Sequence, residues 1–104
     1  MANPFAGEVV LVVDGTAHTC RLTLGALAEL EAGLQTGSLV DLIARFENGT
    51  CTSRDVLALI VAGLRGGGWH GSADDLLTAD IGGGPLGAAR AAAEMVARAF
   101  APPP

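Results

Sequence analysis

The chain has no tyrosine and no lysine: its six basic residues are all Arg, and its aromatics are three Phe and a single Trp. Eleven carboxylates outweigh those six cations and leave a formal net charge of −5, so there is no basic cluster to neutralise a phosphate backbone, and nucleic acid is not the expected partner. Cysteine is equally scarce. Cys20 and Cys51 lack the paired spacing of a zinc knuckle or a redox motif, and in a reducing compartment they read as small apolar packing residues. Long apolar runs are missing too. Val9 to Val13 is too short to span a bilayer, and Met-Ala-Asn-Pro-Phe carries no basic segment leading into an apolar stretch, so the expectation is a cytoplasmic protein with no membrane association. Without a secretory signal, Asn48-Gly49-Thr50 reads as a helix stop and not as a glycosylation site.

What is present is apolar mass. Half of the 104 residues are hydrophobic, enough for one domain to bury a core without metals or disulfides. Glu8 to Val13 is a β-branched run ending in Asp14-Gly15, a pair that accepts the positive φ angles of a type I′ turn, and Ala17 to Thr23 returns. A β-hairpin is expected over about residues 7–23. Val9, Leu11 and Val13 point to one face and Val10 and Val12 to the other, so both faces are apolar. Helices of the same chain are expected on one face, and another subunit or a partner strand on the other.

The remainder, about residues 24–101, reads as four or five short helices. Thr23 caps a helix with a Leu24, Leu27, Leu30, Leu34 stripe that stops between Gly33 and Gly37. Ser38 and Asp41 form a capping box ahead of Leu39, Leu42, Ile43 and Phe46, ending at Asn48-Gly49. Thr52 and Asp55 repeat the device ahead of Val56, Leu59, Ile60 and Leu64, with Leu57 and Val61 widening the stripe, which marks this helix as the central one. Three glycines, 66–68, end it. Ser72 and Asp75 introduce a short segment through Leu76, Leu77 and Ile81. Pro85 suits the first turn of a last helix with Leu86, Ala89, Ala93, Val96 and Phe100 on one face, and with Ala88, Ala91 and Ala92 permitting close approach. The Pro102-Pro103-Pro104 tail cannot continue it. The fold class is α+β: an N-terminal β-hairpin packed on a bundle of four to five short helices, in a single domain 1–104.

Sites for chemistry are sparse. His18 and His70 lack a histidine partner at ligand spacing, so no metal site is expected. A nucleophile could be drawn from Cys51 or Ser53 with His70, but no nucleophile elbow or orienting third group accompanies them. Asp74 and Asp75 are adjacent and diverge, and they fit the positive end of a helix dipole better than an acid pair. The segments Gly66 to Gly71 and Gly82 to Gly87 lack the Gly-Lys-Ser/Thr ending of a phosphate loop and read as connectors. No catalytic residue, cofactor or metal is expected. Trp69, beside Arg65 and His70 in what reads as a mobile loop, fits either a core role or an interface anchor. The candidate partner-binding residues are Val10, Val12, Arg65, Trp69 and His70.

Three stretches resemble one family: Gly7-Glu-Val-Val-Leu-Val-Val-Asp-Gly15, Arg21-Leu-Thr-Leu-Gly-Ala-Leu-Ala-Glu-Leu-Glu31 and Val61-Ala-Gly-Leu-Arg-Gly-Gly-Gly68. Together they are similar to the small tail-cluster protein of bacterial gene transfer agents, phage-like particles that package host DNA. The resemblance runs in order and spacing from about Asn3 to Phe100. It implies either a tail tube subunit or a tail assembly chaperone that contacts the tape measure and tail tube proteins. A sheet-rich barrel belongs to the first, and a mostly helical chain with one hairpin favours the second. The exposed hairpin edge leaves a homo-oligomer open. The expectation is therefore a non-enzymatic tail assembly protein, with a structural component retained in the particle as the alternative.

Overall fold

A computed structural model describes residues 7–34 and 37–100. Strand β1 (Val9–Val13) pairs antiparallel with β2 (Thr16–Cys20), and Val9 lies opposite Cys20 and Val13 opposite Thr16. The turn is the expected one: Asp14 and Gly15 sit at φ 50° and 80°. The return strand stops at Cys20, before the expected Thr23, because the Arg21 N–H leaves the ladder to bond the Gly63 carbonyl at 2.9 Å.

Five helices follow among the described residues: α1 (Leu24–Gly33), α2 (Leu39–Glu47), α3 (Ser53–Gly66), α4 (Ala73–Leu76) and α5 (Gly84–Ala99). Their starts are built as the local sequence dictates. The Thr23 hydroxyl accepts from Ala26 N–H at 3.0 Å, and the boxes at Ser38/Asp41 and Thr52/Asp55 close in both directions. At α4 the Ser72/Asp75 box is also present, with the Asp75 carboxylate accepting from Ser72 N–H at 2.8 Å. The Pro102-Pro103-Pro104 tail lies outside the described residues.

Helix α3 is central, packing on α1, α4, α5 and β2. Its glycines allow this. A Cβ on Gly63 would strike the Met95 sulfur, one on Gly66 the Arg21 carbonyl oxygen, and one on Gly67 the Thr19 carbonyl oxygen. Close backbone approach therefore accounts for these residues as much as helix termination does. Cys20, Leu42, Leu59, Leu64 and Met95 form the fully buried centre.

Two helix faces differ from the stripes read in sequence. In α1 the buried residues are Ala26 and Leu30, flanked by Leu27 and Leu34, while Leu24 is 84% exposed. At 100° per residue Leu24 lies roughly 100° from the centre of that face. In α5 the core side is Ala91, Ala92, Met95 and Val96, turned by roughly 100° from the expected stripe, so Leu86, Ala93 and Phe100 are exposed. The space opened by Gly63 receives Met95 and sets the helix rotation. Of the three alanines expected to permit close approach, Ala91 and Ala92 are buried and Ala88 is half-buried.

The segment after α4 also departs from expectation. Leu77 is exposed and Ile81 is not helical; it forms an antiparallel bridge with Val13 on the outer edge of β1. Gly82 N–H donates to the Val12 carbonyl at 2.8 Å, and Asp14 N–H donates to the Asp80 carbonyl at 2.7 Å. Gly83 and Gly84, both at positive φ, then turn the chain into α5. This end of the hairpin edge is thus covered from within the chain.

Candidate protein-binding surfaces

The hairpin has one buried and one open face. Val9, Leu11 and Val13 are buried, whereas Val10 and Val12 are 48% and 39% exposed and stand side by side opposite Thr19 and Ala17. Because the Val12 carbonyl bonds outward to Gly82, ladder alternation also turns the Val10 backbone groups towards the outer edge. At the N-terminal end of β1, Arg98 donates from Nη1 to the Glu8 carbonyl. Among the described residues, the open edge is therefore a short stretch around Val10 between two internal closures.

Arg65, Trp69 and His70 come together at the C-terminal end of α3. The segment read as a mobile loop is tethered there: Trp69 N–H donates to the Leu64 carbonyl at 2.9 Å, and Arg65 Nη1 donates to the Gly71 carbonyl at 3.1 Å. Arg65 Nε also donates to Glu29 Oε1 at 3.1 Å, linking α3 to α1. The Trp69 indole is half-buried against the core and occupies the space where a Cβ on Gly71 would stand, while His70 is exposed. Val10 and Val12 belong to a separate surface, joined to this one through Thr19, which pairs with Val10 and whose carbonyl abuts Gly67.

A third surface escaped the sequence reading. Helices α1 and α3, with the end of α2, enclose an open groove of about 690 Å³. Its walls are Leu30 and Leu34 on one side and Leu57, Ala58 and Val61 on the other. At one end Arg45 Nε and Nη2 grip the Asp55 carboxylate at 2.8 and 2.9 Å; at the other lies the Arg65–Glu29 pair. Asp55 is buried and also accepts from Thr52 N–H at 2.9 Å. The Arg45 fork, more than the opposing cost of burial, holds its carboxyl below the usual carboxylate range, with the Thr52 bonds adding to the effect. Sequence marked Asp55 only as a cap, because nothing in local spacing places Arg45 across the α2–α3 turn. The one available hint was Ala58 and Ala62 at helical spacing within an otherwise bulky stripe.

The groups considered for catalysis do not converge. Cys51 and Ser53 flank the start of α3 and His70 follows its end, roughly 20 Å away along a helix of this length. Burial pushes the Cys20 thiol up to about 11, which leaves it protonated at neutral pH. Among the described residues no helix is long and apolar enough to cross a membrane.

Comparison with known proteins gives one finding. Residues 6–102 match the family described as phage tail tube protein, GTA-gp10. No curated protein and no solved structure matched the chain.

Proposed function

The chain belongs to the phage tail tube protein family GTA-gp10, and from that premise we propose that it is a tail assembly chaperone, holding tail proteins of a gene-transfer-agent particle before and during tube polymerisation. The observation that carries this reading is the kind of surface left open. The two-stranded ribbon is closed on its outer edge at both ends, while the larger apolar recess is a helix-lined groove. Such a surface suits docking of side chains from a partner segment more than a sheet continued permanently between subunits. Its partners on this reading are the tape measure and tail tube proteins. The role is non-enzymatic and is exercised in the cytoplasm, and the open ribbon face is available to a second copy or to a tail partner.

The family description favours a second reading, a tube subunit retained in the particle. Quantitative mass spectrometry of purified mature particles separates the two. The chaperone reading expects the polypeptide to be abundant in producing cells and nearly absent from particles. Retention in stoichiometric proportion to the other tube components would overturn it in favour of the structural role.

A further inference from the structure

We propose that α5 pairs antiparallel with α5 of a second copy of this chain, about a two-fold axis at Ala93. The inference goes beyond the chaperone reading and does not rest on it.

The outward side of α5 carries a strip that is complementary to itself. Leu86, Arg90, Ala93, Ala97 and Phe100 fall within an arc of about 80°, on the side of the helix away from Met95. All five are exposed, Leu86 by 62% and Phe100 by 45%. A single exposed Leu is ordinary, but two large apolar residues joined by alanines along one helix make a continuous apolar strip. Its spacing is the one a two-fold contact requires. Leu86 lies seven residues before Ala93 and Phe100 seven residues after it, each about 10.5 Å along the axis. Rotation about Ala93 therefore sets Leu86 of one copy on Phe100 of the other, at both ends of the contact. Between them Ala93 and Ala97 keep the surface low, so the two axes can approach to about 8 Å, the close end of helix packing. Beside Phe100 a cleft of about 350 Å³ opens between α2 and α5, lined by Ile43, Phe46 and Val96, and it lies where Leu86 of the second copy arrives.

Charge selects the occupant and its direction. Arg90 makes no ion pair among the described residues, and Glu94 stays exposed with only a 3.6 Å contact from its Oε2 to Arg98. In the antiparallel arrangement Arg90 of each copy falls over Ala97 of the other, within a turn of its Glu94. Two reciprocal Arg90–Glu94 pairs then flank the axis. The parallel arrangement instead sets Arg90 against Arg90 along the same strip, which is unfavourable. Exposed pairs of this kind add little affinity. The apolar strip supplies the affinity, and the charges fix direction and register.

Sedimentation equilibrium of the full chain, from micromolar to millimolar concentration, is the test, and a monomer–dimer equilibrium is expected. Ala93→Glu brings two carboxylates together at the axis and is expected to weaken dimerisation by about tenfold or more, with the far-ultraviolet helical signal unchanged. Arg90→Glu and Glu94→Arg each set like charges across the axis and are expected to weaken it by about threefold. An equimolar mixture of these two variants makes every cross-axis pair opposite in sign again, so dimerisation is expected to recover. Pairing of Arg90 with Glu94 inside one helix gives no such recovery. Ala93→Glu carries the test if Glu94→Arg does not fold. A chain that stays monomeric, a dimer indifferent to Ala93→Glu, or a mixture that does not recover would overturn the proposal. So would a dimer that Val10→Glu abolishes and Ala93→Glu does not, because the ribbon face would then be the contact. Particle stoichiometry is measured separately, so failure of the chaperone reading and failure of the α5 contact are distinguishable.

Discussion

Gly66 and Gly33 end their helices in the same way in sequence and in opposite ways in space. Helix propensity alone favours Ala over Gly at both positions by up to about 1 kcal/mol. A Cβ at Gly66 meets the Arg21 carbonyl and lies 3.3 Å from the Ala26 Cβ, whereas one at Gly33 meets nothing within 4 Å. Gly66→Ala is therefore expected to destabilise the protein by roughly 1–3 kcal/mol, the usual cost of overpacking. Gly33→Ala should be neutral or slightly stabilising. Urea unfolding of the two variants decides the matter, and a stabilised Gly66→Ala would remove the close-approach account of these glycines. Residues whose role is met within one turn, such as the Thr23, Ser38 and Thr52 caps, were legible in sequence, since their bonding partners lie three residues away. The role of Gly66 was only half legible, because the atom it accommodates is supplied by the distant Arg21.

Among elements, α1 and α3 carry the sharpest tests. Leu24 and Leu30 read as members of one stripe, yet Leu24 is 84% exposed and Leu30 is 5% exposed. Leu30→Ala is expected to cost roughly 2–5 kcal/mol and Leu24→Ala less than about 0.5 kcal/mol, measured by thermal or urea unfolding. The α2–α3 connection is sensitive to acid. Asp55 is held below its ordinary carboxylate range by Arg45 and Thr52, so its contribution is complete above the unfolded-state value near 4 and is lost as pH falls through the lowered folded-state value. Asp55→Asn should therefore lower Tm at neutral pH and flatten the fall in Tm below about pH 4. Parallel acid limbs for the two proteins would show that this pair does not govern acid stability. Helix existence and order were readable because capping and apolar recurrence are local signals. The rotation of α1 and α5 was not, since periodicity admits several neighbouring stripes and packing around Gly63 and Met95 selects among them.

For the whole molecule, the question is which apolar surface engages a partner. Val10 faces outward on a ribbon whose other face is buried, so Val10→Glu is expected to leave the far-ultraviolet helical signal unchanged and to shift stability by no more than about 0.5 kcal/mol. If the ribbon face contacts a tail protein, the same variant should reduce co-purification of that protein from producing cells, whereas lost folding would place Val10 in the core. The sequence by itself determined the α+β class, the hairpin with its Asp14-Gly15 turn, the helix starts and the centrality of α3. Each of these follows from interactions within a few residues or from a strongly apolar stripe. Only the tertiary structure decided that residues 80–82 close part of the β1 edge, that Arg65 and Gly71 tether the Trp69 segment, and that Arg45 and Asp55 bound a groove with Arg65 and Glu29 at its other end. These features join residues from separate elements. Their geometry exists only once the glycine-lined contacts of α3 have fixed the distances between backbones.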